Sequence, residues 1–123
     1  MSTYLVATVV TYFDHVEYGY QADDQSDPIV LRFWFSPDNF RFTEFAYDLA
    51  PKVLNFLERY LDEKFTLPKI DFISLPEVEV MAMENWGLII HSDASLLYDP
   101  DRSSLMDKAR VSITVTHELA HQV

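Results

Sequence analysis

The segment His117-Glu118-Leu119-Ala120-His121 constrains this chain more than any other stretch. Residues four apart share one face of an α-helix, so both imidazoles can reach one metal ion, and Glu118 can address the water that the metal activates. That meaning exists only on a helix. The residues just upstream oppose it: in "RVSITVT", Val111, Ile113 and Val115 alternate with Ser112, Thr114 and Thr116, a period that by itself predicts a strand. Ser104 followed three residues later by Asp107 is a helix-start signature. The motif decides, and a helix is predicted from about Ser104 onward. A catalytic zinc takes three protein ligands and keeps one open position, so two histidines supply only part of the set.

The chain has no cysteine, which excludes disulfides and thiolate ligands and leaves His and carboxylates as metal donors. The remaining histidines, His15 and His91, have no spacing that recommends them as ligands and read as satisfied or surface residues. A length of 123 residues with 49% hydrophobic content supports one modest core. The formal net charge of −11 is spread along the chain and argues against a nucleic-acid partner. Ser2 to Phe13 is uncharged and mostly apolar, too short to span a bilayer and without a basic flank.

Tyr4 to Phe13 is rich in Val, Thr and Tyr and reads as a strand buried on both faces. "GYQADDQSDP", Gly19 to Pro28, is the clearest linker, with a boundary placed near its start. Ile29 to Phe35 alternates as a strand, with Ile29, Leu31, Phe33 and Phe35 on one face. From Thr43 to Phe65 the apolar residues Phe45, Leu49, Val53, Phe56, Leu57, Tyr60 and Leu61 fall on one helical stripe, read as core. Pro51 should kink or split that helix, and Lys64 to Pro68 should end it. Ile70 to Leu75, Val78 to Ala82 and Trp86 to His91 are further strand candidates, which makes the expected class α+β.

Glu84 lies 33 residues upstream of His117, within "AMENWGL". That string followed by "HELAHQ" resembles the zinc aminopeptidases of the aminopeptidase N type, whose hallmarks are GAMEN and HExxH. "MSTYLVA", "LPKIDFISLP" and "SLLYDP" resemble the family's segments at the corresponding places, so the likeness runs along essentially the whole chain.

The resemblance implies that residues 1–17 are the last strand of an N-terminal β domain. Residues 18–123 then begin a thermolysin-like catalytic domain, and the chain is an internal piece of a longer protein. It implies that His117 and His121 bind Zn2+, that Glu118 is the general base, and that Glu84 binds the substrate's α-amino group. Ala82 and Met83 would line the cleft as an edge strand that pairs with substrate backbone. The expected partners are peptides with a free N-terminus, and the expected location is the extracellular face of the plasma membrane, with the cytoplasm as the alternative. The family's third zinc ligand, a Glu on the following helix, and its oxyanion-stabilising tyrosine would lie past Val123. The chain by itself is therefore expected to bind zinc weakly and to be inactive. Two positions depart from the family pattern: Met81 stands where the family has Gly, and Val123 where it has Trp. A side chain at Met81 could narrow the cleft, since glycine permits close approach of substrate backbone. These departures leave open a catalytically silent binding or receptor protein that retains the fold. Glu84 weighs against a third possibility, an endopeptidase.

Overall fold

The computed structural model describes residues 5–21 and 27–123. Part of the expected linker, residues 22–26, and the start of the expected first strand lie outside the described residues. Among the described residues five strands, β1 (Asp14–Tyr20), β2 (Ile29–Phe35), β3 (Lys69–Leu75), β4 (Ala82–Met83) and β5 (Leu88–Ser92), form one mixed sheet in the order β1-β2-β3-β5-β4. The central pairs β2/β3 and β3/β5 are parallel, and the outer strands β1 and β4 run antiparallel to their neighbours. Helices α1 (Glu44–Leu61), α2 (Asp93–Leu96) and α3 (Leu105–Gln122) complete an α+β fold.

One face of the sheet carries the core. Leu31, Phe33, Ile70, Phe72 and Ile89 pack beneath Ala46, Ala50, Leu54 and Leu57 of α1 and Val111, Val115 and Leu119 of α3. Phe33 and Phe72 are register partners and stack with ring centroids 4.5 Å apart. The helical stripe read from sequence is rotated by about one residue from the face that is buried. Phe45, Leu49 and Val53 flank the core, whereas Phe56 and Tyr60 stack on each other in solvent. Small Ala46 and Ala50 carry no weight in an apolar pattern, yet they occupy the buried line of α1. Pro51 does not split the helix, which is continuous from Glu44 to Leu61 and stops at Asp62 in the left-handed conformation (φ 52°). At the end of α1 the buried Glu58 carboxylate accepts hydrogen bonds from the Tyr20 hydroxyl (2.8 Å) and the Phe65 amide (3.0 Å).

Three strand expectations change. Residues 5–13 are not a buried strand: no ladder partner runs beside them among the described residues, and Val6, Val10 and Tyr12 face solvent. The segment has no regular strand structure, the Leu5 carbonyl accepts from the Trp86 amide (3.0 Å), and Val9 and Thr11 line a groove with Trp34, Ile73 and Leu88. The first sheet strand is β1 instead, and it takes in Gly19 and Tyr20 from the expected linker, paired with Val30 and Ile29. Of the expected strand Val78 to Ala82 only Ala82 pairs in the sheet: Val78 is irregular, Glu79 to Met81 are bends, and the ladder with β5 covers Ala82 and Met83. The Met81 carbonyl turns instead to the Ser92 amide (2.8 Å) and the Ser95 hydroxyl (2.5 Å).

Candidate active site

Helix α3 forms despite its β-branched run. Ser104 and Asp107 make a reciprocal capping box: the Asp107 amide donates to Ser104 Oγ (3.1 Å) and the Ser104 amide to Asp107 Oδ2 (2.7 Å). The hydroxyls of Ser112, Thr114 and Thr116 donate to carbonyls four residues back, at 2.7–2.8 Å, which satisfies them on the helix surface. Burial then follows the helical period through Val111, Thr114, Val115, Glu118, Leu119 and Gln122, while Ile113, inward-facing in the strand reading, is 69% exposed.

That rotation sends His117 and His121 outward together. Their Nε2 atoms lie 3.1 Å apart and the rings meet edge-on at 4.8 Å. Two imidazole nitrogens each about 2.0–2.1 Å from a tetrahedral zinc would be about 3.3 Å apart, so the pair fits two positions of one ion. Among the described residues no cluster of three His, Asp or Glu is assembled. Glu118 occupies the adjacent, buried row of the helix, and its Oε2 has no hydrogen-bond partner among the described residues. Burial pushes its carboxyl above the ordinary value, His117 draws it back, the Glu84 carboxylate raises it, and His121 lowers it.

Glu84 follows the edge strand β4, which holds Ala82 and Met83 against His91 and Ile90 of β5. Glu84 and His121 both line a cleft of about 300 Å3, together with Leu5, Trp86 and Gln122. Thus the two sequence motifs, far apart in the chain, meet on one surface. The turn after Glu84 is closed by the Leu88 amide donating to the Asn85 carbonyl (3.0 Å), with Gly87 at φ 76° in the position where such a turn demands glycine.

A family model described as the Peptidase family M1 domain matches residues 45–123. The chain belongs to the peptidase M1 family. It is 42% identical to endoplasmic reticulum aminopeptidase 2 of Bos taurus over 122 residues, 99% of this chain and 12% of that protein. Aminopeptidase M1-C of Oryza sativa subsp. japonica is 43% identical over 99% of this chain and 13% of its own length. Aminopeptidase N of Homo sapiens is 40% identical over 99% of this chain and 12% of its own length. The chain thus spans about one-eighth of the length of these M1 relatives.

Gln122, next to the second M1 motif, carries no signal in the sequence that singles it out. Gln122 projects from the buried row of α3, four residues after Glu118, and its amide bonds to the Glu84–Gly87 backbone. Placing the motif on a helix would have aimed it at a neighbouring loop. His91, read as satisfied or superficial, is fully buried opposite Ala82, with Nδ1 3.4 Å from Ser95 Oγ and Nε2 without a hydrogen-bond partner among the described residues. Burial drives its pKa down to about 3, so it is a neutral packing element.

Proposed function

We propose that this chain is part of a zinc aminopeptidase that releases single residues from the N-termini of peptides. In this reading the segment preceding β1 closes an earlier β domain and the sheet from β1 onward opens the catalytic one, a boundary a few residues ahead of the expected 17/18 because Asp14–Tyr20 is a single strand paired with β2. His117 and His121 hold Zn2+, and a third ligand comes from outside the described residues. When bound, the ion supplies Lewis acidity to the scissile carbonyl and lowers the pKa of the attacking water. Glu118 takes the proton from that water and delivers it to the leaving amine. Its buried setting, which raises its proton affinity, suits a group that must hold a proton between the two transfers. Glu84 pairs with the substrate's α-ammonium group, and Ala82 and Met83 offer an edge strand to the substrate backbone.

The observation that carries the proposal is the shared cleft: Glu84 and His121 line one hollow, and the His117 and His121 nitrogens converge beside it. An anionic anchor beside a metal pair accommodates an ammonium-bearing peptide end, which is the chemistry of an exopeptidase. A Glu118→Gln variant of the full-length protein that carries this chain tests the assignment of the base. Zinc content should stay at wild-type level while kcat for an aminoacyl anilide falls roughly 10²–10⁴-fold, the range of general-base catalysis. A wild-type protein that holds zinc but turns over no peptide or anilide would instead support the silent binding protein.

A further inference from the structure

Gln122 joins the two halves of the site. Its side-chain amide has two N–H donors and one carbonyl acceptor, and the backbone of the 84–87 segment meets all three. Nε2 donates to the carbonyls of Glu84 (3.3 Å) and Asn85 (3.3 Å), and Oε1 accepts from the Gly87 amide (2.9 Å). The opposite amide orientation would set an oxygen against two carbonyl oxygens, so these partners fix how the side chain lies. On the helix side Gln122 adjoins His121 and sits one turn past Glu118, on the row that faces the loop. On the loop side the Gly87 carbonyl accepts from the Asp71 amide (2.9 Å) and Lys69 Nζ (2.9 Å), which bolt the turn to β3.

We propose that Gln122 is a positioning residue that fixes the Glu84 carboxylate relative to the His117/His121 pair and thereby sets recognition of a substrate's free α-amino group. The inference rests on the function proposed above. It assigns Gln122 no contact with substrate: one side chain, borne by the metal-binding helix, holds the backbone from which Glu84 projects. A shift of about 1 Å between an anchoring group and a reacting centre is enough to lose rate by roughly 10²-fold, so a clamp of this kind matters for selectivity.

The test is calorimetric. Leucine hydroxamate and its des-amino analogue, 4-methylpentanehydroxamic acid, chelate zinc alike and differ by the α-amino group; the ratio of their Kd values therefore reports the ammonium site. In the zinc-loaded full-length protein, Gln122→Met keeps the side-chain length and removes all three bonds. The amino-group ratio should fall at least about tenfold, with des-amino affinity and zinc content held within about twofold. Should Gln122→Met not fold, Gln122→Glu makes the same comparison, because it keeps one acceptor and turns a carboxylate oxygen on two carbonyls. An unchanged ratio overturns the proposal. A parallel loss of both affinities also overturns it, since Gln122 would then support only the metal helix. Glu84→Gln separates the two levels: a ratio that collapses there and not at Gln122 refutes this inference alone, whereas a ratio indifferent to Glu84 refutes the aminopeptidase reading on which it stands.

Discussion

Replacing Gly87 with alanine should loosen the turn that presents Glu84. Gly87 has φ 76°, and a non-glycine residue in the left-handed region costs about 1–2 kcal/mol. An added Cβ would meet Leu67 Cδ1 at 3.1 Å and the Lys69 carbonyl oxygen at 3.6 Å. The second is ordinary contact, and the first is the tip of a half-buried side chain that can yield by a few tenths of an ångström, so backbone strain dominates. The stabilisation of about 0.4–1 kcal/mol that alanine brings by restricting the unfolded chain requires a native φ that alanine tolerates, and here it does not apply. The expected loss is therefore about 1–2 kcal/mol. With an m-value near 2 kcal/mol per molar, the urea midpoint should drop by about 0.5–1 M in tryptophan-monitored unfolding. Gly19→Ala is the control: Gly19 lies in β1 outside the left-handed region, and its Cβ would meet nothing within 4 Å among the described residues. That variant should unfold at or slightly above the wild-type midpoint. Equal midpoints for Gly87→Ala and wild type, or an equal drop in both variants, would refute the strain argument.

Glu58→Ala should lower stability by about 2–4 kcal/mol in a thermal melt, because the Tyr20 hydroxyl and the Phe65 amide lose their carboxylate acceptor at a buried position. Ser104→Ala should lower it by about 1 kcal/mol through loss of the α3 cap. Hydrogen bonds from the Ser104 amide and side chain hold the Asp107 carboxyl below its ordinary value. Its stabilising contribution is thus present above the unfolded pKa and disappears as pH falls through the folded one. Asp107→Asn should accordingly flatten the acid limb of stability, followed by circular dichroism from pH 5 downward; an unaltered limb would exclude the capping role. Met81→Gly in the full-length protein should reorder substrates by kcat/KM, since Met81 is 53% exposed immediately before the edge strand; an unchanged order would show that Met81 does not narrow the cleft.

Legibility followed the kind of signal each segment carried. The alternation in β2 predicted which side chains face the core, because a period of two leaves no choice of face once one side is buried. In α1 the same reasoning was off by about one residue: large apolar residues dominated the pattern, while the closest approach to the sheet fell to Ala46 and Ala50. In α3 a local preference for strand yielded to a capping box and three back-bonded hydroxyls, neither visible as periodicity. Residues 5–13 read as a buried strand because their composition is apolar, but composition does not supply a hydrogen-bonding neighbour. At the site, the side-by-side placement of His117 and His121 was legible from spacing. The meeting of Glu84 with His121 depends on the β4–β5 turn and on Gln122, a contact across 38 residues that no local pattern encodes.

Under the proposed function, Glu84, lining one cleft with His121, makes this site select a free N-terminus. Steady-state hydrolysis of leucine anilide and N-acetyl-leucine anilide by the zinc-loaded full-length protein, with and without Glu84→Gln, measures that selection. Turnover of the free amine alone is expected, with a loss on Glu84→Gln of at least about tenfold in kcat/KM, the scale of an unpaired charged hydrogen bond. Comparable turnover of the acetylated substrate, or a Glu84→Gln variant as active as wild type on the free amine, would contradict it.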